Sequence, residues 1–329
     1  MGFAEIVGHQ GILAHLRASL RSGRLHHAYL FLGPEGVGKR TVALALAKAI
    51  HCEEGFNDYC DGCVSCLRIS DGNHPDLRWI APLADKKEIS IQQIRELERE
   101  LSYRSFAGKR KVAVIDPATL MNAAAQNALL KTLEEPPADS LIILIASNAG
   151  DLLPTVRSRC LRLTFAPLAR REVAAFLKSQ LAAKEEDAEF LAAISMGSIG
   201  AATGDDREEL IQRRRGWSDL LDSLKAQDYQ SAMTAADSLA ADRIEALEFL
   251  KWAETWYRDL LVYSLTGRGD DLVNFDMLER IEKQPLNKDR DRLLSLIVEV
   301  GRAGARIQRN LNRRMVLERL LFGAVGAGS

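Results

Sequence analysis

The chain has 329 residues, enough for two or three domains. Its 47% hydrophobic content is that of an ordinary globular protein, and a net charge of -1 excludes a global basic field, though not a local basic patch. No stretch approaches the roughly 18 apolar residues that cross a bilayer, and Met1–Gln10 lacks the basic and apolar regions of a signal peptide, so the expected location is the cytoplasm, with no membrane partner.

In chain order, Ile12, Leu13, Leu16 and Leu20 recur at helical spacing over residues 9–22, and Gly23 ends the run. Ala28–Leu32 (AYLFL) predicts a short buried strand. A glycine-rich turn follows at 33–38, then an apolar helix over about 39–50. A cysteine-rich insert covers 52–66, and Leu77–Ile80 is a second strand. Ser90-Ile-Gln-Gln93 has the form of a capping box, which opens a helix running to about Tyr103. Lys111–Ile115 (KVAVI) is a third strand. Residues 121–134 form a helix closed by Pro136-Pro137, Leu141–Ala146 is a fourth strand, and Leu161–Thr164 a weaker fifth. Strands alternating with helices imply an α/β fold with a mostly parallel sheet covered on both faces. Past Pro167 the pattern changes to a small helical unit over 169–200. From about 206 to the end everything reads as helix, including a long one over Lys288–Asn310.

Gly33-Pro-Glu-Gly36-Val-Gly38-Lys39-Arg40 follows a strand and opens a helix, which is the context of a phosphate-binding loop. Its glycines let backbone N–H groups point at phosphate oxygens, the helix dipole adds to them, and Lys39 would reach the terminal phosphates. The next position should carry the hydroxyl that holds magnesium. Here it is Arg40, which has no lone pair for a metal. Thr41 comes one step late, about 100° around the helix. The strand Lys111–Ile115 leads to Asp116, but Pro117 stands where a second carboxylate would polarise water. Hydrolysis by this site is therefore not expected. ATP binding stays open, since Gly33, Gly36, Gly38, Lys39 and Asp116 remain.

Cys52, Cys60, Cys63 and Cys66 offer four thiolates in one loop and the start of a helix. In a reducing compartment such clustering favours a metal over disulfides. Four sulfurs fill the tetrahedral shell of a closed, structural zinc site. An iron–sulfur cluster is the rival, but ferredoxin motifs place the fourth cysteine downstream, often before proline. His51 and His74 lie nearby and either could replace a cysteine; otherwise they are ordinary polar residues. Cys160 is expected to pack. His26-His27 precede the first strand with no nucleophile to pair with. Arg213–Arg215 is a short basic run. Arg302, Arg306, Arg309 and Arg313 would share one helical face, either solvated or facing phosphate or an acidic surface. Trp252 and Trp256, four apart, should pack together.

Asn127-Ala-Leu-Leu-Lys131-Thr-Leu-Glu-Glu-Pro-Pro137 resembles the signature of the bacterial DNA polymerase III clamp-loader AAA+ subunits. Ser158-Arg159-Cys160 is similar to their Ser-Arg-Cys motif, and the four-cysteine insert is also theirs. These features span about 1–165, and Asn312–Leu321 resembles the last helix of the family's collar domain. Motor subunits (tau/gamma) would show Gly-Lys-Thr, an Asp-Glu pair, and a sensor arginine near Gly197–Ala201. This chain shows none of the three. Asn73-His-Pro-Asp76 and Ile89–Leu97 resemble the non-motor branch instead.

The resemblance implies a P-loop AAA+ core over 1–166 with a zinc insert at 52–66, a helical lid over 167–205, and an all-α collar over 206–329. It also implies a rigid, non-hydrolysing member of a ring-like pentamer that opens the sliding clamp and closes it on primed DNA. Its partners would be the motor and delta subunits, with a monomer in isolation. Arg159 would reach a neighbour's ATP site as a finger, with Arg157 close enough to be confused with it. The rivals are an active ATPase motor with an eccentric loop and a stand-alone zinc DNA-binding protein.

Overall fold

The computed structural model describes residues 2–55, 57–84, 86–106, 109–181, 183–204, 207–224, 227–269, 272–309 and 311–326. They fall into two compact units, Met1–Thr203 and Gly204–Ser329. The boundary predicted at 205–206 lies outside the described residues.

In the first unit the described residues build a sheet of five parallel strands: β1 (Ala28–Leu32), β2 (Leu77–Ile80), β3 (Lys111–Ile115), β4 (Ser140–Ala146) and β5 (Leu161–Thr164). The order across the sheet is β2-β3-β4-β1-β5. Ala28 pairs with Ile142, Lys111 with Ser140, Leu77 with Val112, and Tyr29 with Leu161. β1 and β4 are buried at every position, as a parallel strand covered on both faces must be. The two-residue period of a strand sends alternate side chains to opposite sides. Tyr29 and Phe31 join Val112, Val114, Leu141 and Ile143 in one core. That core is closed by α1 (Gln10–Arg21), through Leu13 and Leu16, and α2 (Lys39–His51), through Val42 and Leu46. Ala28, Leu30 and Leu32 join Ala113, Ile115, Ile142 and Leu144 in the other.

The short helix α3 (Val64–Ser70) ends the cysteine insert. α4 (Ile91–Ser102) and α5 (Ala123–Glu134) cover the second face with Ile94, Leu97, Leu129 and Leu133. The capping box at the head of α4 is formed. Gln93 N–H donates to Ser90 Oγ at 3.4 Å, and Ser90 N–H donates to Gln93 Oε1 at 3.0 Å. Replacing Ser90 with Ala is expected to destabilise the protein by about 1 kcal/mol, read as a lower denaturation midpoint. An unchanged midpoint would show that the cap contributes nothing here.

After α6 (Pro154–Arg157), helices α7 (Arg170–Leu181), α8 (Glu185–Ile194) and α9 (Ile199–Thr203) complete the unit. All five strands begin and end as the sequence pattern predicts to within one residue.

The second unit is helical throughout its described residues. It comprises α10 (Arg207–Ser223), α11 (Tyr229–Ala240), α12 (Arg243–Thr266), α13 (Leu278–Lys283), α14 (Arg290–Gln308) and α15 (Arg313–Val325). Trp252 and Trp256 stack with ring centroids 5.3 Å apart inside its core, as their spacing predicts. Two arginines of the basic run at 213–215 are held by partners, Arg213 by Glu248 and buried Arg214 by Asp276 and Asn274, while Arg215 is exposed.

One expectation fails. The arginine face does not exist as drawn, because the helix stops at Gln308 and Asn312 caps a new one, accepting Met315 N–H at 3.2 Å. Arg309 and Arg313 therefore flank a break, while Asn310 lies outside the described residues. Arg302, Arg306 and Arg319 instead converge on Glu299, at 2.8, 3.4 and 3.5 Å. The hydrogen bond from Arg302, with the neighbouring arginines, holds the Glu299 carboxyl below its ordinary range.

Candidate functional site

Three groups of residues carry the chemistry of the first unit. At the C-terminal edge of the sheet, where open α/β sheets take ligands, the loop after β1 and the end of β3 face each other across β4. Gly33, Gly36 and Gly38 have φ of 154°, 71° and 103°, so all three occupy backbone conformations that L side chains rarely adopt. Lys39 is buried, and its Nζ donates to the carbonyls of Gly33 and Pro34 at 2.6 Å each. Arg40 lays its guanidinium over the Trp79 ring, 4.6 Å from the centroid, a contact worth about 0.5–2 kcal/mol. Burial pushes the Asp116 carboxyl up from its ordinary value, and the charges of Arg40 and then Lys39 oppose that rise. The acid that would help hold magnesium thus faces a fixed cation, and Thr41, the nearest hydroxyl in sequence, points to solvent.

A contact that sequence did not reveal closes one side of this loop. Gly200, in the first turn of α9, donates its N–H to Gly36 O at 3.0 Å. A Cβ on Gly200 would meet Gly36 Cα at 2.8 Å, and one on Gly36 would meet Ser198 Oγ at 2.1 Å. The segment Gly197–Ala201, where a sensor arginine is absent, therefore packs backbone to backbone on the phosphate loop. The repeated small residues there are the only sequence signal of it.

Arg159 lies at the other edge of the sheet. It precedes β5, whose Leu161 pairs with Tyr29. Gly33 is four residues further along β1, about 13 Å at the rise of a strand, so Arg159 cannot serve its own loop. Arg159 Nη1 donates to Thr155 O at 2.9 Å, and Nη2 pairs with Glu134 Oε1 at 2.5 Å. The guanidinium side chain remains 34% exposed and Glu134 50%, so the pair sits at the surface. Arg157 differs: its Nε is buried without a hydrogen-bond partner. Cys160 is half-buried against the second core, and burial pushes its thiol up to about 12, which leaves it inert at neutral pH.

The four cysteines of the insert converge. Their sulfurs lie within 4.8 Å of one another, and Cys52 Sγ is 4.0 Å from Cys63 Sγ. Four sulfurs around zinc, each about 2.3 Å from it, stand roughly 3.8 Å apart, so the set fits that ion after small adjustments. Cys52 ends α2, Cys63 caps α3, and Cys66 sits in its first turn. Backbone N–H groups aim at the sulfurs: Gly55 at Cys52 (3.0 Å), Cys63 at Cys60 (3.2 Å) and Cys66 at Cys63 (3.5 Å). Donors placed this way favour thiolates over thiols. Behind the cluster, His51 and His74 are both buried, with rings 4.4 Å apart, and Asp76 joins them. Neither histidine replaces a cysteine in the sulfur cluster, the possibility that their nearness in sequence left open; they form a group of their own with Asp76.

The family model described as "DNA polymerase III, delta subunit" matches residues 8–169. A DNA polymerase III subunit delta' of Bacillus subtilis is 31% identical over 314 residues, covering 94% of this chain and 94% of that one. A subunit delta' of Pseudomonas aeruginosa is 31% identical over 302 residues, covering 90% of each. A subunit tau of Salmonella typhimurium is 39% identical, but over 161 residues, 49% of this chain and 25% of that one. Tau-type relatives match about half to two thirds of this chain, whereas the delta' relatives match nine-tenths or more.

Proposed function

Because the chain belongs to the DNA polymerase III subunit delta' family, we propose that it is a non-hydrolysing clamp-loader subunit that assembles with the motor (tau/gamma) and delta subunits in the cytoplasm. In that complex it acts as a rigid stator and lends Arg159 to a neighbour's ATP site while the sliding clamp is placed on primed DNA. One observation carries the reading: Arg40 holds a permanent positive charge beside Asp116, where hydrolysis needs a hydroxyl and magnesium. With Pro117 following Asp116, no second carboxylate stands there to activate water. The half-exposed position of Arg159 at the opposite sheet edge supports a role in trans. The match to delta' relatives over nearly the whole chain favours this role over a motor. Among the described residues no helix is long and apolar enough to cross a membrane.

Zinc on Cys52, Cys60, Cys63 and Cys66 has no open coordination position, so its part is structural. It ties the end of α2 to α3. The four cysteines bind and orient; they move no proton in the loader's reaction.

The isolated chain is expected to show no ATP turnover above background, with or without primed DNA, and Lys39→Ala should change nothing. Steady-state phosphate release measures this. Turnover by the purified chain that disappears in Lys39→Ala would make it a motor and end the stator reading.

A further inference from the structure

Beside the cysteine insert, the segments that flank it form a second cluster of potential metal-binding side chains. His51, His74 and Asp76 each offer a ligand atom, and these atoms lie within 4.8 Å of one another. All three are more than nine-tenths buried, with exposures of 1%, 5% and 2%. Topology brings them together across 23 residues of sequence. His51 is the last residue of α2, while His74 and Asp76 form the approach to β2.

The telling feature is His51. Its Nδ1 and Nε2 are both buried without a hydrogen-bond partner. The backbone of Arg110 is the least of the influences on the ring. A buried imidazole that lacks hydrogen-bond partners forfeits the hydration of its nitrogens with nothing in return. Native interiors rarely leave such groups unmatched. The neighbouring ligands are already oriented. Asp76 Oδ1 accepts Phe106 N–H at 2.7 Å, a bond that fixes the carboxylate. His74 Nδ1 turns its lone pair toward the Asp76 backbone, accepting that N–H at a long 3.2 Å.

The geometry points to a second metal site, in which His51, His74 and Asp76 bind a divalent cation of the zinc class behind the four-cysteine cluster. Two imidazoles and one carboxylate form a nitrogen and oxygen set suited to zinc. The ligand atoms of such a set stand about 3.4 Å apart around the ion, so side-chain rotations of an ångström or so close the site. The ion takes the His74 lone pair in place of the weak N–H contact. Nearby charges are mixed. Lys109, whose Nζ is held by Cys52 O at 2.7 Å, and Arg68 oppose a cation, while Asp76 and Glu53 favour it. With one carboxylate ligand against these cations, the site binds more weakly than the thiolates do.

The test uses the full-length chain, stripped with a chelator and titrated with zinc alone, with folding followed by circular dichroism. Wild type is expected to take up two zinc ions per chain, the second more weakly. Folded His74→Ala and His51→Leu are expected to take up one. Cobalt gives a readout that needs no variant. The first equivalent should build intense thiolate charge-transfer bands, and the second should add only weak visible bands. Saturation of folded wild type at one ion would overturn the proposal and leave His51 to a buried water. A second ion that survives both histidine substitutions, or that adds thiolate bands, would overturn it as well.

Discussion

A clamp loader reconstituted with Arg159→Ala is expected to assemble normally and to lose DNA-stimulated ATP turnover by about tenfold or more. Arginine fingers supplied in trans contribute about 10³–10⁵ in rate in other NTPases, because a planar cation meets the charge that develops on the transferred phosphoryl group. In the proposed role this chain completes one ATP site among several, so the loss in total turnover is smaller than the loss at that site. The resting contacts of the side chain are weak. Arg159 is parked on Glu134 and Thr155 O at the surface. An exposed ion pair of this kind is worth only about 0–1 kcal/mol, so a phosphate from a neighbour takes the guanidinium easily. Two controls sharpen the result. Arg159→Lys should not restore turnover, since a point charge does not reproduce the two-pronged contact. Glu134→Gln should leave turnover intact or raise it. Unchanged turnover in an intact Arg159→Ala complex would remove the finger and leave this chain a scaffold only.

Loss of the zinc proposed on the four cysteines is expected to unfold much of the first unit rather than a local loop. Structural zinc supplies about 10–16 kcal/mol of apparent binding energy in zinc-finger peptides. Here the insert is stitched to the body of the unit. Phe3 N–H donates to Asp58 Oδ1 at 2.9 Å, Arg17 pairs with Asp58 at 2.8 Å, and Tyr59 Oη donates to Gly2 O at 3.1 Å. Cys52, Cys63, Cys66 and Tyr59 belong to the same core as β1 and α2. Without the ion, four sulfurs, three of them buried, collapse on one another, and these ties lose their anchor. A strong chelator, or Cys66→Ser, should therefore lower stability by several kcal/mol, seen as a fall in Tm together with loss of bound zinc. Normal stability after replacement of all four cysteines would show that the insert folds by itself.

Much of this was legible because the deciding signals are local. Five apolar residues bounded by a turn, as in Ala28–Leu32, leave few alternatives to a buried strand. Ser90 and Gln93 announced a helix start that the structure places one residue later. The cysteine spacing brought four sulfurs together without knowledge of the fold. Contacts between distant segments were not legible. Nothing in Gly197–Ala201 says that Gly200 lies on Gly36. Nothing in the signature around Glu134 says that it holds Arg159. The histidine pair was hidden for the same reason, since only the closing of α2 toward the entry to β2 brings His51 beside His74. The arginine face ran across the break after Gln308 because basic residues keep helical spacing there, although Asn312, which caps the next helix, opens the segment that resembles the family's last helix.

The contact between Gly36 and Gly200 sets a limit on repair. Restoring Arg40→Thr and Pro117→Glu would return the groups that handle magnesium and water. In the rigid role proposed above, it would not return a hinge. A nucleotide changes the shape of its protein only where two surfaces can part and meet again at little expense. Here the backbones touch through glycines chosen for closeness and share a hydrogen bond of 3.0 Å. A chain mended only in its chemistry would still be a part without a lever.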